Sequence, residues 1–105
     1  MNGNEKEKEQ ELSVLHLVLK YEWYDKIASG EKTTEYRECS DYWNQRLKNK
    51  RYDLVRFQRG YYKNPANMLF KIKQIHKWRG ANDLNQAEVW AIDLGERIND
   101  REVQQ

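Results

Sequence analysis

The hydrophobic pattern of this chain predicts several short strands. Residues 12–19 are apolar on both alternating faces, as in a central strand that is covered on both sides. His16 within this strand is interpreted as a core histidine. Apolar and polar residues alternate over 54–59, 68–76 and 89–94, which predicts three more strands with one buried face each.

Two short helices are predicted in the first half of the chain. Over residues 21–29, apolar residues recur at helical spacing, and Gly30 follows where a left-handed cap is needed. Ser40 or Asp41 is a suitable N-cap for the second helix. One side of that helix carries Tyr42, Trp43, Arg46 and Leu47. The elements together predict an α+β fold, mainly β, whose five or six strands form a small, partly open barrel.

The charge distribution indicates one folded domain with polar ends. Residues 12–95 are predicted to form the domain, whereas residues 1–11 are interpreted as a disordered polar tail and residues 96–105 as a polar C-terminal tail. The net charge is +2, to which the first segment contributes −2 and the last −1, so the domain carries +5. This mildly basic balance is compatible with an anionic partner.

The composition excludes several classes of protein. Cys39 is the only cysteine, so an intramolecular disulfide or a thiolate metal cluster cannot form. We therefore predict a reducing, cytoplasmic location, with no metal and no cofactor. No apolar run has the length of a membrane span, and the start of the chain lacks the apolar core of a signal peptide, so no membrane partner is expected.

The segment 30–37 (GEKTTEYR) has strand-like residues but no apolar face, which indicates a wall that faces water or a ligand. Glu35 and Arg37 share one face of the predicted strand, and Lys32 enters from the preceding turn. Arg37 can hold an oxyanion by paired hydrogen bonds, Lys32 can supply a point charge or a neutral base, and Glu35 can relay a proton. The alternative is a structural salt bridge between Glu35 and Arg37, with Lys32 solvated.

Other basic and aromatic residues leave alternatives open. Arg59 has the parity of the core at the end of a strand, so it either emerges into a cleft or pairs with a buried carboxylate. The aromatic loop 60–67 could act as a flap. The basic run of Lys48, Lys50 and Arg51 is interpreted as a solvated helix end, with a phosphate-binding surface as the alternative.

The segment 30–37 matches the pattern G-x-K-x-x-E-x-R and resembles the signature of the ASCH domain, the activating signal cointegrator homology family. The segments YWNQRL (42–47) and FQRGY (57–61) are also similar to that family, and the resemblance covers residues 15–94. It implies a PUA-like β-barrel with a cleft that is lined by the lysine, glutamate and arginine of the motif. It also implies RNA or nucleotide-like ligands, with ribonuclease-like and N4-acetylcytidine amidohydrolase branches among the members.

We therefore predict that the chain recognises RNA or a modified nucleoside. The alternative is a metal-independent hydrolase that acts on an acylated pyrimidine nucleoside or on RNA, with Lys32 and Glu35 as catalytic residues. The amidohydrolase branch carries a threonine nucleophile where this chain has Glu35, and Glu88 and Asp93 are available as its third, acidic residue. The predicted ligand-binding residues are Arg37, Tyr42, Trp43, Arg46, Arg59 and Tyr61. The rings of Tyr36, Tyr42, Trp43 and Tyr61 could stack a base, although helix packing is the favoured role of Trp43.

Overall fold

The computed structural model describes residues 12–99, which form one curled sheet and two helices. In chain order the elements are β1 (Val14–Leu19), α1 (Tyr21–Ala28), β2 (Thr34–Glu38), α2 (Asp41–Leu47), β3 (Leu54–Arg59), β4 (Asn67–Trp78) and β5 (Val89–Ile98). These elements confirm the predicted α+β fold with a predominance of strands. The sheet curls into a half-barrel and does not close. Within residues 12–99, neither helix has the length and apolarity needed to cross a bilayer.

The strand order is β1-β3-β4-β5-β2, so β1 and β2 are the edges of the half-barrel. β1 runs parallel to β3, and all other neighbours are antiparallel. The prediction of a central first strand is therefore wrong, and His16 is exposed rather than a core residue. His16 shares the outer face of β1 with two valines, of which Val14 packs against a small second cluster and Val18 borders a cleft.

The main core fills the concave side of the sheet and is closed by both helices. It contains, among others, Leu15, Leu17, Leu19, Tyr24, Ile27, Leu47, Val55, Phe57, Phe70, Trp90 and Ile92. Ile98 belongs to the second cluster, with Leu54 and Leu69. β5 therefore extends beyond the predicted end of the domain at residue 95, because Ile98 pairs with Leu69 and is buried. The predicted tail 1–11 and the end of the chain from residue 100 lie outside the described residues.

Two helix caps set the path of the chain around β2. Gly30 has a φ of 88°, which confirms the predicted left-handed cap of α1. The backbone amide of Lys32 then donates to the carbonyl oxygen of Lys26, at 3.0 Å, so the end of α1 holds Lys32 two residues before the start of β2. At α2, the side chain of Ser40 accepts a hydrogen bond from the backbone amide of Trp43 at 3.3 Å, as expected for an N-cap.

The outer face of the sheet holds a polar network centred on Asp93 of β5. Its Oδ1 accepts a hydrogen bond from Thr34 of β2, and its Oδ2 accepts one from Gln74 of β4, both at 2.9 Å. His76 Nε2 also lies 2.9 Å from Oδ2. Burial by itself raises the pKa of Asp93, but the hydrogen bonds from Gln74, Thr34 and His76 outweigh it, and the net pKa lies below its ordinary value.

We predict that Asp93→Asn destabilises the fold by about 1 to 2 kcal/mol at neutral pH, because the three donors lose a charged acceptor. A lowered carboxyl pKa contributes stability above the ordinary value of 3.8, and this contribution is lost as the pH falls through the folded-state pKa. The variant should therefore also show a shallower loss of stability below that value.

Denaturant unfolding of both proteins from acid to neutral pH measures these effects. Asp25→Asn is the matched control, because Asp25 also has a lowered pKa but forms an exposed pair with Arg59 that solvent screens. Equal losses in the two variants, or an unchanged acid limb in Asp93→Asn, would show that the network does not stabilise the sheet.

Candidate functional site

A cleft of about 350 Å³ separates the two edge strands of the half-barrel. β1 and β2 form its sides, with α1, α2 and the loop between β4 and β5 around them. The lining residues are Val18, Leu19, Lys20, Trp23, Glu35, Tyr36, Arg37, Glu38, Trp43, Asp83, Leu84 and Gln86. Its volume lies within the range of about 300 to 1,000 Å³ that is usual for small-ligand sites.

Glu35 and Arg37 form the polar centre of the cleft. The side chain of Glu35 is only 8 % exposed, and its Oε2 accepts hydrogen bonds from Arg37 Nε at 3.0 Å and from Nη2 at 2.8 Å. Arg37 Nη2 also donates to the carbonyl oxygen of Val18 at 3.4 Å, so the guanidinium joins the two edge strands. The guanidinium of Arg37 also lies over the ring of Trp43, with Cζ 4.9 Å from the ring centroid.

Lys32 approaches the same carboxylate from the border of the cleft. Its Nζ lies 3.5 Å from Glu35 Oε1, and it also binds the carboxylate of Asp83. The rings of Trp23 and Tyr36 flank the ammonium at 5.4 and 4.9 Å, and the side chain of Lys32 is only 10 % exposed. The lysine and arginine of the motif therefore converge on Glu35 as predicted. The salt bridge between Glu35 and Arg37 in the alternative interpretation is present, but its prediction that Lys32 is solvated is wrong.

The ion pair of Lys32 and Asp83 lies between the cleft and a second depression. Asp83 lines the cleft, and it also lines a shallower depression of about 280 Å³ to which Lys32 is exposed. Two cations and two carboxylates meet here, since Arg37 and Glu35 complete the cluster. The four charges of this cluster cancel. The lining of the cleft adds one further cation, the exposed Lys20, and one further carboxylate, Glu38, so the charges around the cleft sum to zero.

The segment that covers the cleft is residues 79–88, between β4 and β5. Asn82 stabilises it, because its Oδ1 accepts from the backbone amide of Leu84 at 3.0 Å and its Nδ2 donates to the carbonyl oxygens of Gly80 and Gln86, both at 2.9 Å. This turn directs Asp83, Leu84 and Gln86 at the cleft. The predicted flap lies elsewhere, since Tyr61 of the loop after β3 is 84 % exposed and does not line the cleft.

The remaining predicted ligand-binding residues divide into two groups. Trp43 lines the cleft, and Tyr42 and Arg46 lie against it on α2, with the guanidinium of Arg46 5.2 Å from the Trp43 ring. Arg59 is separate from the cleft and donates from Nε and Nη2 to the carboxylate of Asp25, at 2.8 and 2.9 Å. The pairing interpretation of Arg59 therefore holds, but its carboxylate partner is 57 % exposed rather than buried.

The sequence pattern does not identify Trp23 and Asp83 as site residues. Trp23 has the spacing of a helix face that packs on a core, and it does contact the main core. Asp83 lies in a segment that is predicted only as a connecting loop, and its contact with Lys32 spans 51 positions of the chain. No local pattern reports a contact of this length.

The two carboxylates considered from sequence as a third catalytic acid lie away from Lys32. Asp93 is on the opposite face of β2 and β5 from Glu35, and Glu88 lies 3.7 Å from Arg79 at an exposed site. Asp83 occupies the position beside Lys32 instead. Among residues 12–99, no group of three or more histidine, cysteine or acidic side chains is arranged to hold a metal ion.

Glu35→Gln should destabilise the fold by about 2 to 3 kcal/mol, because it removes the charge that compensates two enclosed cations. Glu38→Gln is the matched control on the same strand, where the side chain is exposed and the expected change is within about 0.5 kcal/mol. Urea unfolding of both variants measures the difference. A Glu35→Gln protein as stable as the wild type would show that the cluster does not hold the edges of the sheet together.

Comparison of the sequence with protein-family models and with curated proteins finds no match.

Proposed function

We propose that the cleft binds a nucleobase, presented by RNA or by a modified nucleoside, and that the chain is a recognition module of the ASCH type. One observation carries this proposal: Trp23, Trp43 and the ion pair of Glu35 with Arg37 line the same open cleft, and the charges around that cleft, counted with Lys32, sum to zero. The resemblance of residues 30–37 to the ASCH signature supports it, because the same lysine, glutamate and arginine converge at this cleft.

The walls of the cleft suit a planar aromatic ligand. Trp23 of α1 and Trp43 of α2 line it from the two helices, and Leu84 adds an apolar surface from the covering loop. Stacking of a base on an aromatic side chain contributes about 1 to 3 kcal/mol in single-strand binders. A ring that enters between these walls would also reach the polar centre of the cleft.

The polar centre suits the edge of an amino-substituted base. Glu35 Oε1 has lone-pair capacity beyond its 3.5 Å contact with Lys32, and within residues 12–99 Arg37 uses Nε and Nη2 but not Nη1 for hydrogen bonds. A carboxylate accepts from the N4 amino group of cytosine, and the guanidinium can donate to the adjacent ring nitrogen. Uracil presents an oxygen in place of the amino group and would face Glu35 with a repulsive contact.

The neutral total charge favours a base over a bare phosphate in the cleft. Lys32 is held by two carboxylates and Arg37 by Glu35, so a phosphate would have to displace these partners to reach either cation. Lys20, the remaining cation of the lining, is exposed and shares the cleft with the carboxylate of Glu38. A neutral base requires no such displacement. Salt should therefore have little effect on the binding of a nucleoside to this site.

Cytidine should bind the wild-type protein at least about 10-fold more tightly than uridine, because only cytidine offers an amino group to Glu35. Trp43→Leu should weaken cytidine binding by about 10-fold, through the loss of one stacking surface. Isothermal titration calorimetry measures both effects.

Tyr61→Leu is the matched control for this titration, because it removes an exposed ring outside the cleft and should leave cytidine binding unchanged. Equal affinity for cytidine and uridine, or no binding of either, would overturn the assignment of the cleft as an amino-base site.

Hydrolysis of an acylated cytosine is the second candidate, and the position of Asp83 favours it. The carboxylates of Asp83 and Glu35 both contact the Lys32 ammonium, so an acid accompanies the lysine, as in the amidohydrolase branch. In this scheme Glu35 takes a proton from water, whose oxygen adds to the amide carbonyl. The bond from carbon to N4 then breaks, N4 takes the proton, and an acid and cytidine leave. Arg37 Nη1 is available to hold the oxyanion.

Incubation with N4-acetylcytidine and chromatography of the products tests this second candidate. A hydrolase should release cytidine and acetate, and Glu35→Gln should reduce the rate by at least about 100-fold through loss of the general base. The circular dichroism spectrum of the variant confirms that it is folded under the assay conditions. Absence of cytidine, or equal rates for wild type and Glu35→Gln, would exclude this chemistry.

A further inference from the structure

A second polar surface begins where the chain leaves α2. Lys50, Arg51 and Tyr52 from this segment meet Lys73 and Gln74 of β4 around a depression of about 320 Å³. Neither Lys50 nor Arg51 contacts the neutral cluster of the cleft. The basic run that follows α2 is exposed, as predicted for a solvated helix end, and Lys73 of β4 adds a further cation beside it.

The cations of this basic depression are free to meet an anion. Lys50, Arg51 and Lys73 are exposed, and none of them forms an ion pair within the described range 12–99. Asp53 is the one carboxylate in the lining, and its Oδ2 accepts a hydrogen bond from the backbone amide of Ser13 at 2.9 Å. The lining therefore keeps a net positive charge, in contrast to the cleft.

The local backbone of β4 presents Lys73 to this depression. The pairing of β4 with β5 is irregular between Ile72 and Gln74, so Lys73 stands outside the regular register. Irregularities of this kind turn a side chain away from the direction that the regular pleat would give it. Lys73 is thereby brought to the same depression as Lys50 and Arg51.

α2 connects the basic depression to the cleft by direct contacts. Arg46 lies against the Trp43 ring, which lines the cleft, and the carbonyl oxygen of Arg46 accepts a hydrogen bond from the Tyr52 hydroxyl at 2.8 Å. Tyr52 in turn lines the basic depression. The whole helix has seven residues and is about 10 Å long, a distance that a few nucleotides of a single strand can cover.

We propose that the basic depression binds the phosphates of a single-stranded RNA whose base occupies the cleft. This inference rests on the proposed function and narrows it, because it makes the ligand a polynucleotide rather than a free nucleoside. The neutral cleft binds the base. The strand then crosses α2, and Lys50, Arg51 and Lys73 bind the phosphates of the adjacent nucleotides. The Arg46 guanidinium, which lies between the two surfaces, is placed to contact the connecting backbone.

The test compares two variants that each lose two positive charges. Lys50→Gln/Lys73→Gln removes charge from the basic depression, and Lys63→Gln/Arg97→Gln removes the same charge from exposed positions outside both surfaces. Fluorescence anisotropy measures binding of a labelled oligocytidylate RNA of about ten nucleotides over a range of salt concentrations. Calorimetry measures binding of cytidine to the same proteins.

The first variant should bind the oligonucleotide about 20-fold more weakly in about 0.1 M salt, with a salt slope reduced by about 1.4, because two phosphate contacts are lost. Its affinity for cytidine should be unchanged, and the second variant should behave as the wild type in both assays. Equal losses in the two variants would overturn the proposal.

Binding of cytidine and binding of the oligonucleotide can be lost separately. A wild-type protein that binds cytidine but binds the oligonucleotide no more tightly would overturn the basic depression and leave the proposed function intact. A wild-type protein that binds neither ligand would overturn both. Oligonucleotide binding that survives in Lys50→Gln/Lys73→Gln with an unchanged salt slope would place the phosphates on another surface.

Discussion

The charge of Glu35 is the constraint on which the cleft depends. Glu35 is the one buried polar or charged residue among residues 12–99, and a carboxylate in such a place must be compensated by nearby cations and hydrogen bonds. Arg37 and Lys32 supply this compensation, and each also contacts a second part of the fold. Arg37 reaches across to the backbone of β1, and Lys32 reaches Asp83 in the covering loop. One buried carboxylate thus ties together both edges of the half-barrel and the loop above them.

Much of this arrangement follows from local sequence. Gly30 ends α1 in a left-handed conformation and Ser40 caps α2, and both positions are predictable because caps require particular residue types at particular places. The alternation of side chains in a strand likewise places Glu35 and Arg37 on one face. These features involve residues within a few positions of each other, so periodicity and turn chemistry are sufficient to predict them.

The rest depends on contacts that no local pattern contains. An apolar run such as residues 12–19 is produced equally by a central strand and by an edge strand whose outer valines find separate partners, and here β1 is an edge. The contact of Asp83 with Lys32 crosses the chain, and the exposed carboxylate that pairs with Arg59 comes from α1. Tertiary packing therefore decides which charges meet, and it separates Arg59 and Tyr61 from the cleft.

Charge is distributed in the structure so that neutral and cationic surfaces lie on the two sides of one short helix segment. The charges of the cluster around Glu35 cancel, whereas the basic depression beyond α2 has a net positive charge. The neutral base of a polynucleotide suits the first surface, and its phosphates suit the second. The most direct measurement is a crystal structure of the protein with cytidine. We expect a pyrimidine ring between Trp23 and Trp43, with its amino group within hydrogen-bonding distance of Glu35. A ring bound outside this cleft, or one that leaves Glu35 without contact to the base, would contradict it.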